Sequence, residues 1–313
     1  MERDMETGHR EIERDMETGH REIERDMEER VPYRMLLEAA IQGKNMEALL
    51  GLLQDDPAIL DRVMRECSGK DNPLHVGAQH GNEEFVREIL NKKWELTREL
   101  NSEGESPLHL ASARGHVEVV KEILSKDADA CLTRKLNSEG QSPLHLASAR
   151  GHVEVVKEIW SKDADACFIR DRDGMIPLHL AAINGRVKVL EELVKAEKIT
   201  AFVLTKSGEP ILHLCANNNK FEALKKLMEL IKDERGFVNL RDRDDNTILH
   251  LLAATDKLEM DSIKPTPNIS SLVHTFTKVF RLRASGITPL MENQEDQDRR
   301  FSSKAHPFSN PCC

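Results

Sequence analysis

The sequence has few aromatic residues, few cysteines and no long hydrophobic run. Aromatic side chains make up 4% of the 313 residues, whereas charged side chains reach 32%. This balance favours many small helices rich in Leu, Ala and Val over one large mixed core. The longest apolar stretch, Thr247–Ala254, is far shorter than the roughly 18–20 residues that a membrane helix needs. The charged start has no apolar segment typical of a secretory signal. The sequence therefore predicts neither a transmembrane segment nor export.

The six cysteines show no CxxC spacing and no dense framework. Two of them, Cys131 and Cys167, occupy the same position in two copies of one repeated segment. Such a pattern is typical of reduced, partly buried thiols. It predicts a cytoplasmic protein without a disulfide scaffold and without a metal site.

The net charge is −10 at pH 7, and much of it lies near the N-terminus. Residues 1–31 hold 12 acidic and 6 basic side chains. Nucleic-acid binding requires an excess of Lys and Arg to neutralise phosphates. The charge balance therefore argues against a nucleic-acid partner.

A short motif recurs along the middle of the chain at a nearly constant period. The spacings between its histidines are 34, 36, 34, 34 and 37 residues. A period of this length indicates a stack of structural repeats, each too small to bury its own apolar face. The motif is Pro-Leu-His at Pro73–His75, Pro107–His109, Pro143–His145 and Pro177–His179, and Ile-Leu-His at Ile211–His213 and Ile248–His250.

One unit, residues 101–124, shows the local structure that each repeat encodes. Gly104 stands where a turn tip requires positive φ. Ser106 is a good helix N-cap, and Pro107 falls at the first helical position, where its missing N–H costs nothing. Gly115 ends this first helix. The following residues, His116–Leu124, place apolar side chains at spacings of three and four and predict a second helix.

This pattern resembles the ankyrin repeat. It is nearly complete in 101–134 and 137–170, and the first of these units is almost duplicated: residues 100–135 and 136–171 share 31 of 36 positions. Elsewhere Asn219 replaces the helix-ending glycine and Asp245 replaces the turn glycine. Leu36–Leu53 fits only the helix pair and is interpreted as a capping repeat. The resemblance implies an all-α ankyrin-repeat solenoid of about seven helix-turn-helix repeats with β-turn tips, over 32–260.

The repeats also resemble those of plant ankyrin-repeat proteins of the PGG-domain family. The similarity rests on the segment DRDGMIPLHLAAINGRVKVLEEL and on the closing run Asn246–Leu251. Members of that family look like signalling adaptors linked to plant defence or salt stress. This sequence lacks their membrane region, so it is interpreted as a truncated or spliced form.

The two tails lack the repeat motif. An 11-residue unit, ERDMETGHREI, occurs twice in residues 1–31, which favours a frayed helix or disorder over a coiled coil because few residues are apolar. Residues 261–313 form an irregular tail. Leu272, Phe276, Val279 and Phe280 share one helical face there. A capping helix is the first interpretation, and a basic amphipathic membrane contact is the alternative.

These observations predict a scaffold or adaptor that binds a protein partner on the concave face of the array. The alternative is a membrane-associated signalling regulator, held at the plasma membrane through a partner. Catalytic signatures such as a Walker loop, HExxH or GxSxG are missing, so no enzyme, cofactor or small-molecule ligand is expected. The recurring histidines are interpreted as hydrogen-bonding residues at repeat interfaces.

The family's variable surface positions select the candidate partner-binding residues. They are Gln79, His80, Ser102, Glu103, Glu105, Ala113, Arg114, Ser138, Glu139, Gln141, Ala149, Arg150, Arg172, Asp173, Met175, Ile183, Asn184, Lys206, Ser207, Glu209, Asn217 and Asn218.

Overall fold

A computed structural model describes residues 33–43, 46–56, 58–67, 70–127, 130–232, 234 and 236–254. The described residues up to Arg243 belong to one compact unit, and those from Asp244 onward belong to a second. The predictions for the acidic tail 1–31 and for the C-terminal tail 261–313 lie outside the described residues.

The regular elements of the described residues are helices, which confirms the all-α prediction. In chain order they are α1 (33–42), α2 (Met46–Asp55), α3 (Ile59–Glu66), α4 (Pro73–His80), α5 (Glu83–Lys92), α6 (Pro107–Arg114), α7 (Val117–Lys126), α8 (Ala130–Arg134), α9 (Pro143–Arg150), α10 (Val153–Lys162), α11 (Pro177–Ile183), α12 (Val187–Ala196), α13 (Ile211–Asn217), α14 (Phe221–Leu230) and α15 (Ile248–Ala254). Short 3₁₀ helices span Trp94–Arg98, Ala164–Phe168, Lys198–Phe202 and Phe237–Asn239.

In the described residues these helices form six pairs, each with a first and a second helix. The pairs are α1–α2, α4–α5, α6–α7, α9–α10, α11–α12 and α13–α14. In the second unit, α15 carries the Ile-Leu-His motif of a further first helix. The first pair matches the helix pair expected at Leu36–Leu53, and its capping role stays a prediction. The repeat pattern of the sequence is thus confirmed wherever the structure describes it.

The first helices begin and end where the sequence predicts. In α6, Ser106 is the N-cap and forms a capping box with His109, which satisfies N–H groups that the first turn leaves unpaired. Gly115 ends the helix at φ 80°, and an added Cβ there would lie 2.4 Å from His152 Nδ1. Glycine is therefore required both by its conformation and by the close approach of the next repeat. Asn219, which replaces this glycine, adopts φ 57°.

In neighbouring repeats, first helices pack against first helices and second helices pack against second helices. First helices stack in the order α4, α6, α9, α11 and α13, while second helices stack in the order α5, α7, α10, α12 and α14. One small side chain in each first helix is completely buried at the same position, which permits this close approach. These residues are Ala111, Ala147, Ala181 and Cys215. The core is therefore continuous along the first unit, as expected for a repeat array.

Ion pairs between consecutive repeats reinforce the stack. Arg134 donates from Nε and Nη2 to the two carboxylate oxygens of Asp163, at 2.7 and 2.6 Å, and Thr133 donates to the same carboxylate at 2.7 Å. One repeat earlier, Arg98 binds Asp127 in the same bidentate way. Bidentate guanidinium–carboxylate pairs fix geometry as well as charge. Sequence reasoning did not identify these pairs.

The near-duplicated repeats differ in one connecting segment. The residues Asp-Ala-Asp-Ala-Cys occur in both copies, yet the first copy continues as the α-helix Ala130–Arg134 and the second forms the 3₁₀ helix Ala164–Phe168. The first copy has two more residues before its next turn, and Leu136 is left 36% exposed. The two segments also differ in the residues after the shared stretch, Leu132 and Thr133 in the first copy and Phe168 and Ile169 in the second.

Candidate partner-binding face

The turns that precede α6, α9, α11 and α13 are each closed by a side chain at the base. Asn101 Oδ1 accepts hydrogen bonds from the N–H groups of Glu103 and Glu105, at 3.0 and 2.9 Å. In the repeat before α13, Thr205 Oγ1 replaces the amide oxygen and accepts from Glu209 N at 3.0 Å. Such side-chain-to-backbone bonds hold a turn in one conformation. The same arrangement occurs at Asn137 and Asp171.

Successive turns are also joined to one another through their backbones. Ser138 N donates to Glu103 O at 2.8 Å, and Lys206 N donates to Asp173 O at 3.2 Å. The contact leaves no room for a side chain at the tip, because a Cβ on Gly174 would lie 2.8 Å from Lys206 N. We name the row of turns together with the C-terminal ends of the first helices the turn face. Its backbone is fixed by bonds within and between repeats.

The candidate residues of the sequence all lie on this turn face. Exposed side chains are His80, Ser102, Glu103, Arg114, Ser138, Glu139, Arg150, Arg172, Asp173, Asn184, Lys206, Ser207, Asn217 and Asn218, and half-buried ones are Gln79, Glu105, Gln141, Ala149, Met175, Ile183 and Glu209. Ala113 departs from the expectation, since it is only 6% exposed. It packs against the neighbouring first helix, so its side chain offers no surface to a partner.

Side chains near the ends of the first helices also form hydrogen bonds between repeats, which the sequence did not reveal. Arg150 Nη1 and His152 Nε2 both donate to Ala113 O, at 2.8 and 3.1 Å. Arg186 Nε donates to Ala149 O at 3.0 Å in the following repeat. These bonds satisfy helix-end carbonyl groups that have no partner within their own helix. Arg150 therefore joins two repeats, in addition to presenting a charge on the turn face.

The recurring histidines connect each first helix to the next repeat. His109 Nδ1 lies 3.1 Å from Ser106 N, and Nε2 lies 3.1 Å from Lys135 O and 3.2 Å from Gln141 O. Since a backbone N–H can only donate, Nδ1 accepts, and Nε2 carries the proton and donates to the carbonyl groups. Equivalent bonds to the following repeat are formed by His75, His145 and His179. The predicted interface role is confirmed for these four residues.

Burial keeps these histidines neutral. Desolvation lowers the pKa of His109 and of His179 to about 4, and it also lowers the pKa of His75 and His145. A neutral ring is required for Nδ1 to accept from the N-cap. The N-cap bond to the histidine ring cannot form at His213, because its capping residue Pro210 has no N–H to donate. The geometry supports a structural function for the motif.

A groove lies on the turn face where three successive repeats meet. Its volume is about 500 Å³, and it is lined by Arg172, Asp173, Met175, Ile183, Thr205, Lys206, Ser207, Glu209, Leu214 and Arg243. Seven of these residues were candidates from the sequence. The structure adds Thr205, Leu214 and Arg243. The sequence could have indicated Arg243, because the tripeptide Asp242-Arg243-Asp244 has the same residues as Asp171-Arg172-Asp173.

The part of the chain that the structure describes has no cluster of three or more metal-binding side chains. None of its helices has the length and apolar character needed to span a membrane. Burial raises the pKa of Cys167 and of Cys215 to about 12, so neither thiol forms a reactive thiolate near neutral pH.

Comparison with known families identifies the repeat. A family model described as ankyrin repeats, three copies, matches residues 36–134 and 130–203. The two stretches together cover more than half of the chain and run from α1 through the 3₁₀ helix Lys198–Phe202. A comparison with curated proteins finds no match.

Proposed function

Because the chain belongs to the ankyrin-repeat family, a general role in protein–protein interaction follows, and we propose that the partner binds on the turn face. The protein would act as an adaptor, with the array as a rigid support for variable side chains. No step of this function requires a cofactor or a nucleophile.

One observation carries this proposal: the turns share one backbone arrangement, and the exposed side chains on it change along the array. Ser102, Ser138, Arg172 and Lys206 occupy the same position in four successive turns, and all four are exposed. The two near-duplicated repeats present the same serine there, whereas the next two turns present arginine and lysine. A pre-organised surface loses little conformational entropy when it binds. This combination suits recognition of one protein better than it suits chemistry.

The finer part of the proposal comes from the resemblance to plant PGG-domain proteins. We propose that the adaptor acts in the cytoplasm, in defence or stress signalling. The alternative is attachment to the plasma membrane through a partner. Fractionation of source cells tests this part. Recovery of the chain with membranes that is lost after a high-salt wash would favour attachment through a partner.

Site-specific photo-crosslinking tests the binding face. A photoreactive amino acid replaces Ser138 on the turn face or, as a matched control, Ser161, which is exposed on α10. After incubation with an extract of source cells, we expect a discrete crosslinked partner from position 138 and none from position 161. Crosslinking from 161 alone would place the partner on the second helices and contradict the proposal.

A further inference from the structure

We infer that the groove lined by Arg172, Lys206 and Arg243 binds an acidic peptide segment that also carries apolar side chains. The inference rests on the proposed function and adds the chemistry of the partner. It depends on the charge, the floor and the rigidity of the groove.

Three cations occupy equivalent turn positions along the groove. Arg172, Lys206 and Arg243 each follow the residue that closes the turn, and all three are exposed. In the two preceding turns this position is serine, at Ser102 and Ser138. At this turn position, cations therefore occur only in the three turns that border the groove.

These cations are available to a ligand. Among the described residues, none of the three takes part in an ion pair. Arg243 donates from Nη2 to Lys206 O at 2.6 Å, which holds its side chain along the groove, while a guanidinium has five N–H donors in total. The bond from Lys206 N to Asp173 O fixes the spacing between the turns. The positive groups are thus held in place before any partner arrives.

The floor of the groove is apolar. Met175 and Ile183 are half-buried, and Leu214 is 6% exposed beneath them. An apolar side chain of a bound segment would cover surface that these residues leave in contact with water, which is favourable at about 25 cal/mol per Å². A ligand with charge alone would leave this floor unused.

Two carboxylates at the groove favour a peptide over a phosphate-rich polymer. Asp173 and Glu209 line the groove together with the cations, and Glu209 accepts a hydrogen bond from Asn217 Nδ2 at 2.5 Å. Carboxylates repel closely spaced phosphates but can accept hydrogen bonds from the N–H groups of a peptide backbone. A partner with alternating carboxylates and N–H groups therefore suits the groove better than nucleic acid does.

The two turns before the groove have acidic tips. Glu103 and Glu139 are exposed there, and each follows a serine where the groove turns have a cation. Arg114 and Arg150 are exposed at the ends of the first helices of these repeats, and not in the turns. Among the turns themselves, an acidic segment is therefore attracted to the groove more than to the two preceding tips.

Fluorescence anisotropy with the full chain tests this inference. The probes are three labelled eight-residue peptides: one of Glu and Asp with two Leu, one with both Leu replaced by Ser, and one with Lys in place of every acid. At low salt we expect the acidic Leu peptide to bind more tightly than the acidic Ser peptide, and the Lys peptide to bind least. Binding should weaken as salt is added, because exposed charges are screened.

Charge-reversal variants locate the binding. Arg172→Glu and Lys206→Glu should each weaken the acidic Leu peptide about fivefold or more, in line with loss of an attraction and gain of a repulsion near the surface. Ser161→Glu is the matched control, since it adds a charge at an exposed position of α10 outside the turn face, and it should change affinity less than about twofold. Arg172→Gln and circular dichroism of each variant separate a loss of charge from a loss of folding.

Three results would overturn the inference. They are equal effects of the groove variants and Ser161→Glu, tighter binding of the Lys peptide, or tighter binding of a single-stranded oligonucleotide through the same groove. If the groove variants leave the peptide affinity unchanged but crosslinking from position 138 captures a partner, partner binding on the turn face stands and only the acidic-peptide inference falls. If the groove variants leave the affinity unchanged and position 138 captures no partner, the turn face itself is not the binding surface.

Discussion

Lowering the pH from 7.5 to 5 should destabilise the repeat array, because folding holds several histidines neutral. His109 and His179 have a pKa of about 4 in the folded chain, against an ordinary value of about 6.5. Between these two values the unfolded chain binds more protons than the folded chain, so the free energy of unfolding falls as the pH falls. The stability that these residues contribute is complete above about pH 6.5 and is lost progressively towards pH 4.

The magnitude follows from the two pKa values. For one histidine with these values, the loss between pH 7.5 and pH 5 is about 2 kcal/mol. His109 and His179 together account for about 4 kcal/mol, and the lowered pKa of His75 and His145 acts in the same direction. The raised pKa of Glu105 opposes the trend. A total stability of about 5–15 kcal/mol is usual for a folded domain, so the effect is a large fraction of it.

Urea denaturation followed by far-ultraviolet circular dichroism, at both pH values, measures this effect. The variant His109→Gln removes one titrating ring, so its stability should fall by about 2 kcal/mol less than that of the wild type over the same pH interval. This comparison does not depend on how much the substitution destabilises the chain at neutral pH. His80→Gln, at an exposed position, controls for the loss of a histidine as such. An identical loss of stability in the wild type and in His109→Gln would refute the reasoning.

Three further predictions concern the repeats. His145→Ala should lower the free energy of unfolding by about 1–3 kcal/mol, because buried groups lose their partner; an unchanged midpoint in urea would show that the histidine is not structural. Arg150→Glu should destabilise the array more than Arg114→Glu, because Arg150 donates to a carbonyl of the preceding repeat, and equal melting temperatures would contradict this. Deleting residues 100–135 should yield a helical, cooperatively folding chain with a somewhat lower midpoint, since the junction restores the Arg-Glu-Leu-Asn sequence that precedes the turn. Size-exclusion chromatography and circular dichroism check the last prediction, and an aggregated product would show that the duplicated units are not independent.

The sequence by itself determined where the helices begin and end. Ser106 caps α6, Gly115 ends it, and Asn219 adopts positive φ in place of glycine, all as expected. These outcomes depend on steric limits and hydrogen bonds within a few residues. The period of the motif determined the stacked architecture for a similar reason, since each pair exposes an apolar stripe that only a neighbour can cover.

Only the tertiary structure decided the features that depend on two repeats at once. Ala113 is buried and Arg150 binds its carbonyl, although both occupy positions that are variable on the surface in the family. Arg243 joins a groove with residues that lie 29 and more positions earlier in the chain. In each case the deciding contact is made across a repeat interface, where geometry depends on how neighbouring units pack and not on the residues adjacent in sequence.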